Sequence, residues 1–334
     1  MEMRTGIGRR GLVDLSYLHV AMRKLWFGLL FFSVAVGELN LVPDRLRIDG
    51  VFVGYGGFYQ GQTKGWSKTG FNFQWRLGKL GLTANIIENA STRVEFDLCA
   101  IVLRDLFLEF RLPSGFKIRA GQFSVPLSFE AETDEMDLKL EEYSILYGTV
   151  VKPNTVRDVG LLLTWTQAGP APGLRAMAGA VQGTGPNSVD NNSQKDVFCR
   201  VVVNPWSELN LSLGARGYYG WVNPEAVPWL GLGAEAVFKP GDLFVRTELA
   251  FRRHQNIPVP AGQIETSYQL GFLEPALRGE AMRWDDGRLR LRVLLGLMMK
   301  PAAENLKVLI GYQYHTQWTV WTHQSLIVQL IAGF

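Results

Sequence analysis

The most regular feature of the chain is an alternation of polar and apolar residues with a period of two. Between residues 104 and 112, Asp105, Glu109 and Arg111 alternate with leucines and a phenylalanine. The same pattern recurs at 209–218, 243–252 and 288–293. Successive side chains of a β-strand point to opposite faces, so each segment is predicted to be a strand with one polar and one apolar face. The chain is therefore predicted to be all-β.

The spacing of these segments predicts a barrel. Short links at 88–91, 113–115, 205–208, 239–242 and 274–275 alternate with long ones at 59–69, 125–155 and 183–195, and short turns at one end with long loops at the other are typical of outer-membrane barrels. A soluble sandwich also alternates, with its apolar face inward, but segments of about 9–13 residues match tilted membrane strands. We predict a transmembrane antiparallel β-barrel of sixteen strands, which begin near 46, 70, 91, 103, 115, 156, 173, 196, 209, 229, 242, 265, 275, 288, 306 and 323.

One apolar run near the N-terminus does not fit the alternation. Leu25 to Val36 is a predominantly apolar run that contains one polar residue, Ser33, and it is shorter than the roughly 20 residues that a membrane-spanning helix needs. It follows the basic Met22-Arg23-Lys24 and ends in small residues at Gly37, which is the pattern of a secretory signal peptide. The alternatives are a buried core helix and a membrane anchor. We expect residues 1–37 to be an N-terminal extension with a signal peptide, translated from Met1 or from Met22, and 38–334 to be the barrel.

The net charge of +3 is concentrated in this extension. Residues 38–334 keep 29 of the 34 basic and 29 of the 31 acidic residues, so the predicted barrel is formally neutral. The charge therefore gives no reason to expect a nucleic-acid partner. The two cysteines, Cys99 and Cys199, are interpreted as small strand residues rather than as a bridge.

The sequence gives little support to an enzyme. His254, His315 and His323 stand in no recognisable nucleophile motif, and no Cys/His cluster has the spacing of metal ligands. We predict no catalytic residues, no metal site and no cofactor.

Three segments resemble the phosphate-selective porin O and P family. They are Arg93–Asp97, Leu103–Phe110 and Lys117–Pro126, and Arg157–Gly160 follows after a long connection. The resemblance covers roughly residues 90–165, and beyond 195 only the hairpin rhythm matches. It implies a barrel of 16 strands, usually trimeric, that passes small solutes and often anions. The sequence departs from the family in the connection at 125–155, which is acidic where the family often carries basic residues.

A channel needs a polar lumen and a constriction. Because arginine side chains in lipid are unfavourable, the alternating arginines of 288–292 are predicted to face the lumen as a row of positive charges. The predicted pore-lining residues are Arg288, Arg290, Arg292, Lys117, Arg119, Arg111, Glu109 and Asp105. The long connection at 125–155 is predicted to fold inward and narrow the pore, and its carboxylates are Glu130, Glu132, Asp134, Glu135, Asp137, Glu141 and Glu142.

The function predicted from these features is passive diffusion of small hydrophilic solutes or ions across a bacterial outer membrane. A weak anion preference is expected if the loop carboxylates pair with the arginines, and a cation preference if they point into the opening. The alternative is a structural or adhesive barrel with a plugged lumen. The expected partners are membrane lipid, the barrel-assembly machinery through a C-terminal strand that ends in Phe334, and two further copies in a homotrimer. Tryptophans near strand ends, among them Trp206 and Trp229, are interpreted as interface anchors.

The N-terminal pattern makes a first testable prediction. We expect cleavage near Gly37, so that the mature protein begins near Glu38. N-terminal sequencing or mass spectrometry of protein from the outer membrane measures this directly. Material that retains residues 1–37 would refute the assignment of a signal peptide.

Overall fold

The alternating segments form strands in the structure, a computed structural model that describes residues 39–42, 45–63, 66–140, 143–152, 155–167, 173–222, 227–254, 257–284, 286–301, 306–317 and 321–333. The strands are β1 Leu39–Val42, β2 Leu46–Thr63, β3 Trp66–Ile87, β4 Ala90–Asp97, β5 Val102–Arg111, β6 Phe116–Ser124, β7 Arg157–Thr166, β8 Gly173–Val181, β9 Asp196–Trp206, β10 Leu211–Val222, β11 Val227–Phe238, β12 Leu243–His254, β13 Ile257–Tyr268, β14 Leu273–Arg283, β15 Leu289–Met299, β16 Leu306–Gln317 and β17 Trp321–Gly333.

Strands β2 to β17 close into one antiparallel ring. Each strand pairs with the next along the chain, and β17 pairs with β2 from Trp321↔Thr63 to Gly333↔Val51. Closure leaves no sheet edge with unpaired backbone groups, the condition for a sheet to stand in lipid. The prediction of a sixteen-stranded antiparallel barrel is confirmed for the part of the chain that the structure describes. The short β1, which pairs only with the start of β2, is an addition that the sequence did not predict.

The two rims of the barrel differ in their connections. The longest links, 125–156 and 182–195, leave the same end, which we call the loop rim. At the opposite end, where β2 begins and β17 ends, the links include 88–89, 112–115, 207–210 and 239–242; we call it the terminal rim. The predicted long link at 59–69 is wrong, because β2 and β3 stay paired as far as Thr63↔Trp66.

The largest error in a strand boundary concerns β13, which begins at Ile257 rather than near 265. Pro258 and Pro260 in this segment argue against a strand, since proline cannot donate to a ladder. In the structure both prolines pair with β12, while the register between β13 and β14 begins only at Ala261. The two prolines, which lack a backbone N–H, therefore lie in the part of β13 that pairs with β12 but not with β14.

The apolar face of each strand points outward. On β5, Leu106, Leu108 and Phe110 are 47%, 42% and 43% exposed, whereas Asp105 and Phe107 on the opposite face are buried. Phe107 therefore faces the interior despite being apolar, and so does Phe244 on β12. This arrangement is the inverse of a soluble sandwich and fits a barrel surrounded by lipid.

The apolar core of the molecule lies inside the barrel. The connection 125–156, which we call the inner loop, brings Leu127, Leu146 and Val150 against inward-facing side chains of the wall. Gly231 of the wall accepts this approach because it has no side chain: a Cβ atom there would lie 1.9 Å from the carbonyl oxygen of Val150. Part of the loop-rim half of the lumen is thereby filled with protein.

Some side chains depart from the predicted locations. Trp229 is 3% exposed and donates from Nε1 to the Val150 carbonyl at 3.0 Å, so it fastens the inner loop instead of anchoring the barrel at the membrane surface. Trp206, in contrast, is exposed. Cys199 lies on β9, but Cys99 lies in the turn between β4 and β5 rather than on a strand, and both thiols are free.

Within the described ranges, none of the helices has the length and apolar character to cross a membrane.

The orientation of the faces predicts the effect of a charge on the outer wall. Leu108→Arg places a guanidinium in lipid, and we expect it to destabilise the folded barrel by roughly 2–4 kcal/mol. Urea unfolding in lipid vesicles, followed by heat-modifiable gel mobility, measures the loss. Ser188→Arg, in an exposed link at the loop rim, is the matched control and should change stability by less than about 0.5 kcal/mol. Equal stability of the two variants would contradict the outward orientation of Leu108.

Candidate functional site: the lumen and its inner loop

The carboxylate of Glu130 is the most deeply buried charge of the inner loop. One of its oxygens lies 2.7 Å from Nη2 of Arg246 and 3.3 Å from Nη1 of Arg278. The carboxylate also accepts hydrogen bonds from the backbone N–H of Ser144 at 3.0 Å and from its hydroxyl at 2.6 Å. A buried carboxylate is tolerated only with such compensation. Glu130 therefore joins the loop to β12 and β14 and also closes the loop on itself.

Glu135 and Asp134 join the inner loop to the opposite wall. Lys79 on β3 lies 2.6 Å from Asp134 and 2.9 Å from Glu135, and Arg104 on β5 lies 2.6 Å from Glu135. Burial alone would raise the pKa of Glu135, but the charges of Lys79 and Arg104 outweigh it and hold this pKa at about 2. The carboxylate is thus ionised at neutral pH and bound between two cations.

The remaining described carboxylates of the loop are also paired. Glu132 bonds to Arg175 and Arg200, and Asp137 lies 3.7 Å from Lys307. The five described members of the predicted constriction set each have a basic partner on the wall; Glu141 and Glu142 lie outside the described residues. The loop is consequently a charge-compensated element rather than a free acidic surface.

The wall from β9 to β15 carries a ladder of alternating charges. Glu235 bridges Arg200 and Arg216, and Glu265 lies 3.0 Å from Arg246 and 3.1 Å from Arg278. The low permittivity around these buried groups strengthens each ion pair, but it also makes a buried charge without a partner unfavourable. The ladder therefore stabilises the barrel only when all its members are present. Its members are Arg200, Glu235, Arg216, Glu248, Arg246, Glu265, Arg278, Glu280 and Arg292.

The predicted arginine row of β15 is divided among three environments. Arg288 lies in the turn before the strand, half exposed and 3.9 Å from Asp286. The guanidinium of Arg290 stacks 3.8 Å from the centre of the Trp284 ring. Arg292 is buried, pairs with Glu280 and donates to the carbonyl of Tyr143 at 2.8 Å. Two of the three charges therefore have acidic partners, and Arg292 belongs to the ladder.

The second predicted group lies on β5 and β6. Asp105 pairs with Arg157 at 3.0 Å, and Glu109 pairs with Arg119 at 2.7 Å. Arg111 and Lys117 are directly opposite each other in the register near the terminal rim, and both are exposed. Neither has a carboxylate within 4.0 Å among the described residues. The group thus contains two ion pairs and one pair of exposed like charges.

The described part of the barrel contains several cavities, and among them are three that are large enough to hold several water molecules. The largest, about 720 Å³, lies between the inner loop and the terminal-rim half of β7 to β13; Glu132, Leu138 and Arg200 are among its lining residues. A second cavity of about 240 Å³ lies against β2, β3, β16 and β17. A third, of about 170 Å³, lies between them beside Glu135 and Leu138. We call them the lower, upper and middle chambers.

The chambers share lining residues and are therefore adjacent to one another inside the barrel. The upper and middle chambers have Arg76 and Gln329 in common, and the middle and lower chambers have Leu138 in common. This oblique series passes the inner loop at residues 135–138. Water-sized spaces lined by polar groups are filled by water, so the series outlines a route for small hydrophilic solutes.

Sequence reasoning missed the inward direction of Arg104, a cation beside this route. Arg104 belongs to the apolar face by alternation, but the register shifts from Glu95↔Asp105 to Phe96↔Leu103, and this β-bulge turns Arg104 inward. A second bulge brings Arg76 and Leu77 to the same side. The sequence signal at Arg104 is a basic residue in an apolar series, which would be unfavourable in lipid.

Comparisons with known proteins agree with the barrel. The anion-selective porin from Comamonas acidovorans superimposes with a TM-score of 0.64 at 11% identity, covering 86% of this chain and 99% of that one. The OmpF complex with daunomycin from Salmonella typhi gives 0.65 at 13% identity, covering 89% and 100%. The chain has the porin fold. The trimer form of OmpT, an outer-membrane protein of Vibrio cholerae, gives 0.59 at 13% identity, covering 87% and 100%. No protein-family model matches the sequence, and no curated protein matches it.

The pairing of Glu135 predicts a pH-dependent contribution to stability. Its pKa falls from an ordinary 4.5 to about 2 in the folded protein. The stabilisation is thus complete above pH 4.5 and is lost as the pH falls towards 2. We expect Glu135→Gln to destabilise the barrel by roughly 3 kcal/mol at pH 7, and this difference to shrink between pH 4.5 and 2.

Thermal unfolding in detergent across this pH range measures the effect. Glu208→Gln, in an exposed turn at the terminal rim, is the control and should match the wild type at every pH. A deficit of Glu135→Gln that stays constant down to pH 2 would show that the ionised carboxylate is not its source.

Proposed function

We propose that this chain is an outer-membrane porin, a passive diffusion channel for small hydrophilic solutes or ions. The observation that carries the proposal is the series of three chambers inside a closed barrel whose outer face is apolar. A channel of this kind needs no catalytic group, only a wetted path with a narrow section. The porin fold, shared with an anion-selective porin and with OmpT, an outer-membrane protein of Vibrio cholerae, supports a location in a bacterial outer membrane.

The inner loop is proposed as the constriction. It crosses the lumen between Arg246 on one side and Lys79 on the other, and the middle chamber beside Glu135 is the smallest of the three. Because its carboxylates are held by wall cations, the loop is expected to narrow the path permanently rather than to act as a mobile gate.

A plugged structural or adhesive barrel is the second candidate function. It is favoured by the apolar cluster in which Leu127, Leu146 and Val150 pack against the wall and fill part of the lumen. The two functions differ in one measurable property, which is whether purified protein conducts ions across a planar lipid bilayer. Discrete conductance steps support the channel, and their absence in folded protein supports the plug.

The finer assignments are proposals as well. Membership of the phosphate-selective porin O and P family is supported by the resemblance at Arg93–Asp97, Leu103–Phe110 and Lys117–Pro126. A homotrimer is supported by the solved trimer form of OmpT. Recognition by the barrel-assembly machinery is supported by the apolar outer face of β17; Phe334 itself lies outside the described residues.

Deleting residues 130–142 tests the constriction. The deletion removes the segment that separates the upper and lower chambers, so we expect single-channel conductance to rise. Deleting residues 188–192 from the other long link at the loop rim is the matched control and should leave conductance unchanged. Circular dichroism and heat-modifiable mobility establish that each variant is folded. Unchanged conductance in folded protein lacking 130–142 would show that the inner loop does not limit the flow.

A further inference from the structure

The position of Arg76 is set by an irregularity in the pairing of β2 with β3. The register runs through Val53↔Leu77 and then Gly54↔Trp75, which leaves Arg76 as an extra residue on β3. Trp75 is 45% exposed on the outer face and Leu77 is buried on the inner face. The β-bulge thus lets Arg76 and Leu77 lie on the same side of the wall, which strict alternation forbids.

Arg76 lies where two chambers meet. It lines both the upper chamber of about 240 Å³ and the middle chamber of about 170 Å³. Gln329 on β17 is the other residue common to both. A solute that moves from the upper to the middle chamber therefore passes the guanidinium of Arg76.

The neighbouring charged groups of the middle chamber are engaged by other partners. Arg104 is held by Glu95 and Glu135, each within 3 Å. The carboxylate of Asp97 accepts the backbone N–H groups of Cys99 at 2.9 Å and of Gly78 at 3.3 Å. Among the residues that the structure describes, no carboxylate lies within 4.0 Å of the guanidinium of Arg76. Arg76 thus contributes a positive charge without an ion-pair partner at the junction.

We propose that Arg76 is the residue that makes this path anion-selective, and that it holds a small carboxylate or phosphate anion at the floor of the upper chamber. The inference rests on the proposed channel function. A guanidinium offers paired N–H donors that match two oxygens of a carboxylate or phosphate. Asn72 and Gln313 in the same chamber supply further amide groups. A volume of about 240 Å³ corresponds to roughly eight water molecules, which suits a small anion with part of its hydration shell.

This assignment places selectivity away from the arginines of β15. Arg292 forms an ion pair with Glu280, and Arg288 lies at the loop rim beside Asp286. Salt screens exposed charges over about 8 Å, so an uncompensated charge beside the narrow section has more influence than a compensated one farther along the wall.

The experiment is the reversal potential of single channels under a KCl gradient. Arg76→Gln should lower the chloride-to-potassium permeability ratio by about threefold or more, because it removes a unit charge next to the passing ion. Arg76→Lys keeps the charge and should retain a ratio near that of the wild type. Lys195→Gln, in an exposed link at the loop rim, is the matched control and should leave the ratio unchanged.

Inorganic phosphate and succinate serve as probes of the bound anion. Either anion, added to the solution on the loop-rim side of the bilayer, should reduce the chloride current through the wild type. It should reduce the chloride current through Arg76→Gln less. A stronger reduction by phosphate identifies phosphate oxygens as the preferred ligand, and a stronger reduction by succinate identifies carboxylates. Equal reduction in wild type and Arg76→Gln would overturn the binding site.

The outcomes separate this inference from the channel function itself. A folded wild type without conductance would refute the channel. A conducting wild type whose permeability ratio does not change in Arg76→Gln would refute the role of Arg76 and leave the channel intact. If Arg76→Lys shifts the ratio as far as Arg76→Gln does, the charge is not the cause and the inference is also wrong.

Discussion

The buried contact of Glu130 with Arg246 and Arg278 is the interaction on which the interior of this barrel depends. Each guanidinium also pairs with Glu265, so two cations and two carboxylates share one desolvated site. Removing one member would leave the others uncompensated at low permittivity, which is far less favourable than the complete set. The position of the inner loop, and with it the division of the lumen into chambers, follows from this site.

The inner loop is held by two kinds of contact that act on different parts of it. Residues 130–137 are fixed by ion pairs to opposite sides of the wall, whereas Leu146 and Val150 are fixed by apolar packing and by the hydrogen bond from Trp229. The ion pairs lie next to the water-filled chambers, and the apolar packing fills the space beside them. This division explains how one segment can obstruct part of the lumen and still border an open path.

The charge distribution reconciles an acidic loop with the proposed anion preference. Counted along the sequence, the carboxylates of 130–137 suggest a path that repels anions. In the structure their charges are matched by Lys79, Arg104, Arg200 and Arg246, so the field in the path depends on the few cations that are left over. Arg76 at the junction of the chambers, and the opposed Arg111 and Lys117 near the terminal rim, are such cations among the described residues.

The class of fold can be read from the sequence alone. The period of two in segments such as 104–112 predicts strands with one apolar face. These strands, with the contrast between long links and tight turns, predict an antiparallel barrel whose apolar face points outward. These features are readable because the facing of a strand residue depends only on its neighbours in the chain.

Tertiary structure decided everything that depends on a second strand. The bulges at Arg76 and Arg104 arise from the register between two strands, and the strand that contains Pro258 and Pro260 exists because β12 supplies its partner. Likewise, the pairing of each loop carboxylate with a particular wall cation joins residues distant in sequence, such as Glu130 and Arg278. A period of two shows which way a side chain points where the pairing is regular, but only the closed ring determines where bulges reverse that direction and what each side chain contacts.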